Sequence, residues 1–595
     1  MSQRPDAHYG APMFGVPHMG IGVAGGSARA GHLAMAAKPS YGPPEIHPSE
    51  IERTVVLGDG SFGTVYAGRC RAKDVAVKVL HKQDLSAKAL ETFKKEVEIM
   101  SKIYHPNIAL FMGACTTPGK LAIITELMPK GDLESLLHSK VNISLLRRIR
   151  MAKDAALGMI WLHQSDPVII HRDLKASNLL VDQNYNVKLC DFGLSQVKPE
   201  GEVFLRDGAD GAKGTPLWMA PEVLAGEAFN EKADVYSFGI VLWEILTRRE
   251  PFQEFESIEE FRVAICVENV RPPIPPGTHP SLKQLLEACW HPVPSKRPSF
   301  SVIIDQLDQI IVDCAVQDPH GRRMWKEVFL KKTEVRWSEL QAAFTRLIAP
   351  FVPRPAAWPA DQRLPDQPTP YQLQHCTDKQ LEEYGKRSQE NWFQAAQEYS
   401  RRASPTAAGG GDDESGLDPM SIKCLQALLI VNEGSDSVVD NDSEPMVELE
   451  RFGQICEFFG PIVEADGTFL FLERMKSLCS KSWFHGDVST REAENKLASR
   501  PHGTFLVRFS TSKAGNYTIS KVSPTSINHQ RITHSPGHGF HVNNKRYATL
   551  EELITLGGHE LKLFKACPGS KLYTELFVDP KVSGYVHGEG EADDM

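Results

Sequence analysis

His171-Arg172-Asp173-Leu174-Lys175-Ala176-Ser177-Asn178, followed closely by Asp191-Phe192-Gly193, is the stretch on which the reading of this chain turns. Asp173 is a carboxylate able to orient an acceptor hydroxyl. Asn178 and Asp191 offer oxygens that can hold a divalent cation on phosphate groups. In-line transfer of a γ-phosphoryl group leaves little covalent chemistry to a protein and asks for these parts. A three-letter string is weak evidence by itself, so further parts must appear in chain order.

Upstream, Gly58-Asp59-Gly60-Ser61-Phe62-Gly63-Thr64-Val65 lies between two apolar runs, Thr54–Leu57 and Val65–Ala67, and reads as strand, tight turn, strand. Glycines there let backbone N–H groups approach phosphate oxygens without a Cβ in the way. Val75-Ala76-Val77-Lys78 is a β-branched strand ending in an ammonium that can reach the α- and β-phosphates. The partner of Lys78 should come from the next helix. Phe93, Val97 and Met100 share a face there, and Glu96 adjoins that face while Glu98 points toward solvent, so Glu96 is chosen. Downstream come Gly214–Glu222, an apolar helix opened by Asp234-Val235-Tyr236-Ser237-Phe238-Gly239, and Arg297, the expected ion partner of Glu222.

With these parts in order, residues 49–312 resemble a eukaryotic protein kinase domain of two lobes. The resemblance implies ATP and Mg²⁺ as cofactors and proteins as substrates. It assigns ATP contacts to Leu57, Gly58, Asp59, Gly60, Ser61, Phe62, Gly63, Thr64, Val65, Ala76, Lys78, Thr125, Glu126 and Met128. Thr125 takes the gatekeeper position, and the adenine is expected on backbone groups near Glu126 and Met128. Catalytic roles fall on Lys78, Glu96, Asp173, Lys175, Asn178 and Asp191, with the metal on Asn178 and Asp191. Lys175 and Thr215 resemble serine/threonine kinases, whereas Asp234–Gly239 and the run from Cys289-Trp290 to Phe300 resemble the tyrosine-kinase-like branch. Serine and threonine are therefore the expected acceptors, with tyrosine as a second. Between Gln196 and Gly214 there is no serine, threonine or tyrosine to phosphorylate, so Glu200, Glu202, Asp207 or Asp210 is expected to stand in for a phosphate opposite Arg172.

A second region starts at Trp483-Phe484-His485-Gly486 and reaches Phe505-Leu506-Val507-Arg508-Phe509-Ser510. A guanidinium inside an apolar strand must be paired, and its planar fork of donors suits a phosphate. Residues 483–580 resemble a Src-homology-2 (SH2) domain, a reader of phosphotyrosine. The resemblance gives Arg508 the phosphate, adds the Ser510 hydroxyl, and lines the pocket with His529 and Arg531. It also marks a departure, since Thr490 stands where such domains usually present an arginine or lysine. Kinase first and SH2 last resembles the amoebal Shk dual-specificity kinases, a multidomain α+β architecture. An adaptor that binds phosphotyrosine and keeps only vestigial catalysis is the alternative.

Between the two regions, helical apolar spacing appears at Met324–Leu330 and Leu340–Ile348, within a helical and proline-rich linker at 313–400. Residues 401–419 read as a flexible acidic linker, and 420–482 as a helical segment near the SH2 domain, including an amphipathic helix over 447–459. The glycine- and proline-rich residues 1–48 and the tail 581–595 read as disordered. Ser404 and Tyr585 are candidate modification sites. The acidic turn 436–444 lacks the glycine and ligand spacing of a calcium loop. A net charge of −9 gives no basic footprint for nucleic acid. Eleven scattered cysteines, with no paired or metal-ligand spacing, fit a reducing compartment. No long apolar run or lipidation signal is present. The expectation is a cytoplasmic protein, recruited to membranes only through partners, with Cys190 facing the nucleotide cleft.

Overall fold

The structure, a computed structural model, describes residues 44–351, 418–430 and 444–578, apart from the short stretches 61–62, 82–86, 200, 207–213, 512, 514 and 536–537. Most of 1–48, residues 352–400 of the expected helical and proline-rich linker, nearly all of 401–419, the turn before Glu444, Ser404 and Tyr585 lie outside the described residues.

In the N-terminal lobe, β1 (Ile51–Asp59), β2 (Gly63–Cys70), β3 (Lys73–Leu80), β4 (Phe111–Cys115) and β5 (Ala122–Glu126) form an antiparallel sheet in the order β1-β2-β3-β5-β4. Helix α1 (Ala87–Lys102) packs on it through Phe93, Val97 and Met100, while Glu98 is exposed, as the helical spacing predicts. Residues ahead of β1 extend the β4 edge: Ile46 N–H donates to Ala114 O at 2.9 Å and its side chain is buried.

The C-terminal lobe is built from α2 (Leu133–His138), α3 (Leu145–His163), α4 (Pro221–Leu224), α5 (Lys232–Thr247), α6 (Ile258–Cys266), α7 (Pro280–Cys289) and α8 (Phe300–Ala315). Ser144 and Ser299 cap α3 and α8 by accepting from backbone N–H groups. Helix α5 is buried on every side from Ala233 to Ile245, which is why it takes the centre of the lobe against α3 and α7. Two short ribbons carry the site: β6 (Ile169–Ile170) with β9 (Gln196–Val197), and β7 (Leu179–Val181) with β8 (Val187–Leu189). Helix α8 runs on to Ala315, past the boundary expected at 312.

A helical layer follows: α9 (Pro319–Phe329), α10 (Trp337–Ile348), α11 (Pro419–Leu429), α12 (Leu449–Phe459) and α13 (Phe471–Cys479). Asp318 and Asp418 cap α9 and α11 immediately before a proline, the residue that needs no donor at the first helical position. The amphipathic helix expected from 447 begins two residues later. Val447 is buried in a ladder opposite Val335, in which β11 (Met446–Glu448) pairs with β10 (Glu334–Arg336).

The C-terminal domain is a sheet in the order β16-β15-β14-β13-β12-β17, formed by β12 (Thr504–Phe509), β13 (Tyr517–Val522), β14 (Ile527–Ser535), β15 (Gly539–Val542), β16 (Lys545–Tyr547) and β17 (Lys565–Ala566). Helices α14 (Thr490–Leu497) and α15 (Leu550–Gly557) flank it, and α16 (Lys571–Phe577) closes the domain. A capping box between Ser489 and Glu492 starts α14. One hydrophobic core runs unbroken from the C-terminal lobe through Trp325, Phe344, Phe452 and Phe471 into Phe484, Phe509 and Tyr517.

Candidate active site and phosphate pocket

Sheet register assembles the upper wall of the cleft. Val65 lies opposite Lys78, and Ala76 opposite Thr125. The glycine-rich turn is tied by side chains: Asp59 Oδ1 accepts from Thr64 Oγ1 at 2.5 Å and stands 2.9 Å from His81 Nε2. Gly63 is required for close approach, because a Cβ there would fall 2.4 Å from Val79 O. Leu57 and Gly58 are exposed on β1, and Ser61 and Phe62 lie outside the described residues.

Lys78 Nζ donates to Glu96 Oε1 at 3.1 Å and to Asp191 Oδ1 at 2.7 Å. Burial alone would pull the Lys78 ammonium down, but the two carboxylates outweigh it and hold the pKa above the ordinary lysine value. Burial pushes the Glu96 carboxyl up; at Asp191 the charge of Lys78 overcomes burial and holds the carboxyl below its usual range. Of the two glutamates weighed on this helix, Glu96 is the one within reach, whereas Glu98 pairs with Lys102 at 2.6 Å.

The lower wall is a set of loops fixed by backbone hydrogen bonds. Cys190 N–H donates to Asn178 O at 3.0 Å, which sets Asn178 beside the chain leading into Asp191. Asn178 Nδ2 donates to Asp173 O and Oδ2 at 2.7 and 2.9 Å. Asp173 Oδ1 accepts from Thr215 Oγ1 at 2.8 Å and from Thr215 N at 3.0 Å, and Lys175 Nζ reaches Thr215 Oγ1 at 2.7 Å and Asp173 Oδ2 at 3.2 Å. Arg172 and Asp191 both have left-handed backbone, with φ of 70° and 61°. Such strain persists only where surroundings impose it. Asp234, buried on α5, imposes it at Arg172 by accepting from His171 N at 2.9 Å and Arg172 N at 2.8 Å, and His163 Nε2 stands 2.7 Å away. Sequence reasoning quoted Asp234 but gave it no role; the signal was a carboxylate at the head of an otherwise apolar helix.

Where the adenine is expected, Glu126 N–H is already spent on Leu110 O at 3.0 Å, so that donor is not available to a base. The Glu126 carboxylate accepts from Leu110 N at 2.7 Å and from Lys188 Nζ at 2.8 and 2.9 Å, tying the end of β5 to β8 and to the residue before β4. Cys190, expected to face the cleft, is half-buried, and burial pushes its thiol far above the ordinary value, which disfavours the reactive thiolate.

The segment between Gln196 and Glu222 is pinned at several points. Arg172 Nη1 donates to Gln196 Oε1 at 3.0 Å and its guanidinium lies over the Phe229 ring. Lys198 pairs with Glu231 at 2.9 Å, and Leu205 bridges to Phe229. Of the acids expected opposite Arg172, Glu202 is exposed, and Glu200, Asp207 and Asp210 lie outside the described residues. Arg297 grips Glu222 with two bonds of 2.7 and 2.8 Å, the buried pair expected from the sequence.

No group of three or more His, Cys, Asp or Glu side chains able to hold a metal occurs among the described residues. Asn178 and Asp191 still fit a hard cation that keeps phosphate and water oxygens among its ligands. Asn178 Nδ2 is committed to Asp173 and Asp191 Oδ1 to Lys78, which leaves one further oxygen on each side chain.

In the C-terminal domain, Arg508 is buried on β12. Its Nη2 donates to Thr490 Oγ1 at 2.9 Å, its Nε to Ser520 Oγ at 3.3 Å and its Nη1 to Phe509 O at 3.3 Å. Ser520 Oγ lies 2.9 Å from His529 Nδ1, and His529 Nε2 lies 3.3 Å from Glu494 Oε1. Ser510 is buried at the end of the strand. Arg531 is exposed on β14, opposite Thr518. Arg508 and His529 thus share one network through Ser520, a link that sequence reasoning missed. Burial pulls the Arg508 guanidinium below its ordinary value, with Glu494 opposing.

These two sites define a class: a protein kinase catalytic domain joined to an SH2 domain. The model of the "Protein tyrosine and serine/threonine kinase" family matches residues 51–307, and that of the "SH2 domain" matches 483–556. The chain is 48% identical over 557 residues to the Dictyostelium discoideum dual specificity protein kinase shkA, covering 93% of this chain and 95% of that protein. It is 46% identical over 519 residues to shkC of the same organism, covering 87% and 90%. The Arabidopsis thaliana serine/threonine-protein kinase CTR1 is similar over 258 residues at 46% identity, covering 43% of this chain and 31% of that one. The chain belongs to the Shk family of protein kinases. It is an enzyme that uses ATP and a divalent metal on protein substrates and carries a phosphotyrosine-binding SH2 domain. Among the described residues no helix is long and apolar enough to cross a membrane.

Proposed function

We propose that the cleft transfers the γ-phosphoryl group of ATP to serine and threonine, and to tyrosine as a second acceptor, with Mg²⁺ as the metal. Bound Mg²⁺ supplies charge neutralisation on the phosphate oxygens, and Asn178 and Asp191 would hold it. Lys78, braced by Glu96, positions the α- and β-phosphates. Leu57, Val65, Ala76, Thr125 and Met128 shape the nucleotide site under the glycine-rich turn. Asp173 orients the acceptor hydroxyl, and Lys175 balances charge on the transferred group. The observation that carries the serine/threonine reading is the Asp173–Thr215–Lys175 triangle, with contacts of 2.8, 2.7 and 3.2 Å. Tyrosine as a second acceptor is supported by the printed names of the shkA and shkC relatives.

Arg508 takes the phosphate of phosphotyrosine, with Ser510, His529 and Arg531 contributing, and recruits partner proteins without adding chemistry. The ten described cysteines are all free thiols, which supports a cytoplasmic location, with membranes reached through partners. The test is a transfer assay with purified full-length protein on peptides that differ only in the acceptor. Serine and threonine peptides should be labelled faster than the tyrosine peptide. Labelling of the tyrosine peptide alone would refute the assignment.

A further inference from the structure

Helix α12 has the kinase domain on one side and the SH2 domain on the other. Glu450 pairs with Arg150 of α3 at 2.6 Å, and the next residue, Arg451, pairs with Asp487 just ahead of α14 and donates to Leu428 O at 2.7 Å. Gly453 sits so close to the end of α8 that a Cβ there would fall 1.9 Å from Ala315 O. At the far end of the helix, the Phe458 ring stacks on Phe509 with centroids 3.9 Å apart, and Tyr517 Oη donates to Phe458 O at 2.9 Å. Phe509 is the residue after Arg508 on β12, and Tyr517 pairs with it across the ladder. The phosphate-binding strand is therefore packed on the same helix that is packed on the kinase lobe.

A seam of this kind joins the domains as closely packed interiors are joined, with little room for rotation. A tethered reader would carry a docked ligand to any point within reach, whereas this one holds it at a set distance and direction from Asp173. We infer that the chain is a kinase of fixed reach, whose favoured substrates are polypeptides bearing a phosphotyrosine and an acceptor hydroxyl on the same chain, separated by a segment long enough to bridge the two sites. This rests on the reading that Arg508 takes phosphotyrosine and Asp173 the acceptor. The selectivity is geometric: the gain in effective concentration vanishes when the connecting segment cannot span the sites, peaks when its length matches, and then falls.

The test uses the full chain and a series of peptides carrying one phosphotyrosine and one serine acceptor, joined by glycine-serine spacers of a few to about thirty residues, each adding at most about 3.5 Å. With short spacers kcat/KM should equal that of the peptide lacking phosphotyrosine; past a threshold it should rise at least about tenfold and then decline. Two controls separate failure of the inference from failure of the underlying reading: transfer to the unprimed serine peptide, and capture of a short phosphotyrosine peptide. If either control fails, the site reading falls and the inference with it. If both controls succeed, a gain that is largest at the shortest spacer, or no gain at any length, overturns fixed reach alone. Gly453→Trp, a wedge against Ala315, should lower the threshold. Because that wedge can unfold the seam, Arg150→Glu provides a milder opening that Glu450→Arg should restore. Unchanged thresholds in folded forms of both variants would also overturn the inference.

Discussion

Arg508 Nη2 donates to Thr490 Oγ1 at 2.9 Å, so a hydroxyl at the head of α14 holds the guanidinium from the position where related domains usually present a second cation. Arg508 is the buried arginine of the candidate pocket, held by Thr490 and Ser520. Arg508→Ala should lower phosphotyrosine-peptide affinity by at least about a hundredfold, since a charge-assisted fork is lost. Kinase activity on an unphosphorylated peptide should remain. Fluorescence polarisation and a transfer assay on one preparation give both readings, and loss of both functions together would contradict the separation of the sites.

Lys78→Met should remove phosphoryl transfer while leaving phosphopeptide capture intact, because the ion pairs of Lys78 with Glu96 and Asp191 lie within the kinase domain. A variant with transfer above about a tenth of wild type would show that the ammonium is dispensable.

Thr215→Val should reduce kcat by about tenfold or more, whereas Thr215→Ser should retain most of it, since the hydroxyl bonded to Asp173 and Lys175 is what matters. Equal losses in the two variants would point to packing in place of hydrogen bonding. Steady-state kinetics on a serine peptide distinguishes them.

Stability should depend on pH through Glu244. Burial pushes its carboxyl from the ordinary value of 4.5 up to about 8, although Trp218 Nε1 donates to it at 2.7 Å. The folded state therefore keeps its proton where the unfolded chain releases it. The contribution of Glu244 is fully present below pH 4.5 and is lost as pH rises toward 8, by several kcal/mol, on the order of 1.4 kcal/mol per unit. Denaturant titrations of the wild type and Glu244→Gln should diverge over this window, with the variant flatter and more stable at high pH. Parallel curves would show that Glu244 is not the titrating group.

Phe458→Ala should cost about 3–5 kcal/mol, because the ring fills the seam between α12 and the strand carrying Arg508. A cost below about 1 kcal/mol in denaturant unfolding would mean that the seam tolerates a void.

Much of the geometry of the candidate site was legible because phosphoryl transfer asks for particular residue types at short spacings: Asp173 to Asn178, the glycine-rich turn, and a lysine ending a β-branched strand. Periodicity separated Glu96 from Glu98, since a helix turns one face to the core. The polar contacts that brace the site were not legible. Asp234 under Arg172, Lys188 under Glu126 and Ser520 between Arg508 and His529 are each distant in sequence from what they hold.

The chain order of motifs alone determined a two-lobed kinase followed by an SH2 domain, because those chemistries are written in local patterns. How the domains meet was decided only in three dimensions. The intervening helices have ordinary amphipathic sequences that say which face is buried, but not against what. Val335 with Val447, Gly453 with Ala315, and Phe458 with Phe509 pair surfaces whose match depends on shape and distance, and neither is a property of a single segment.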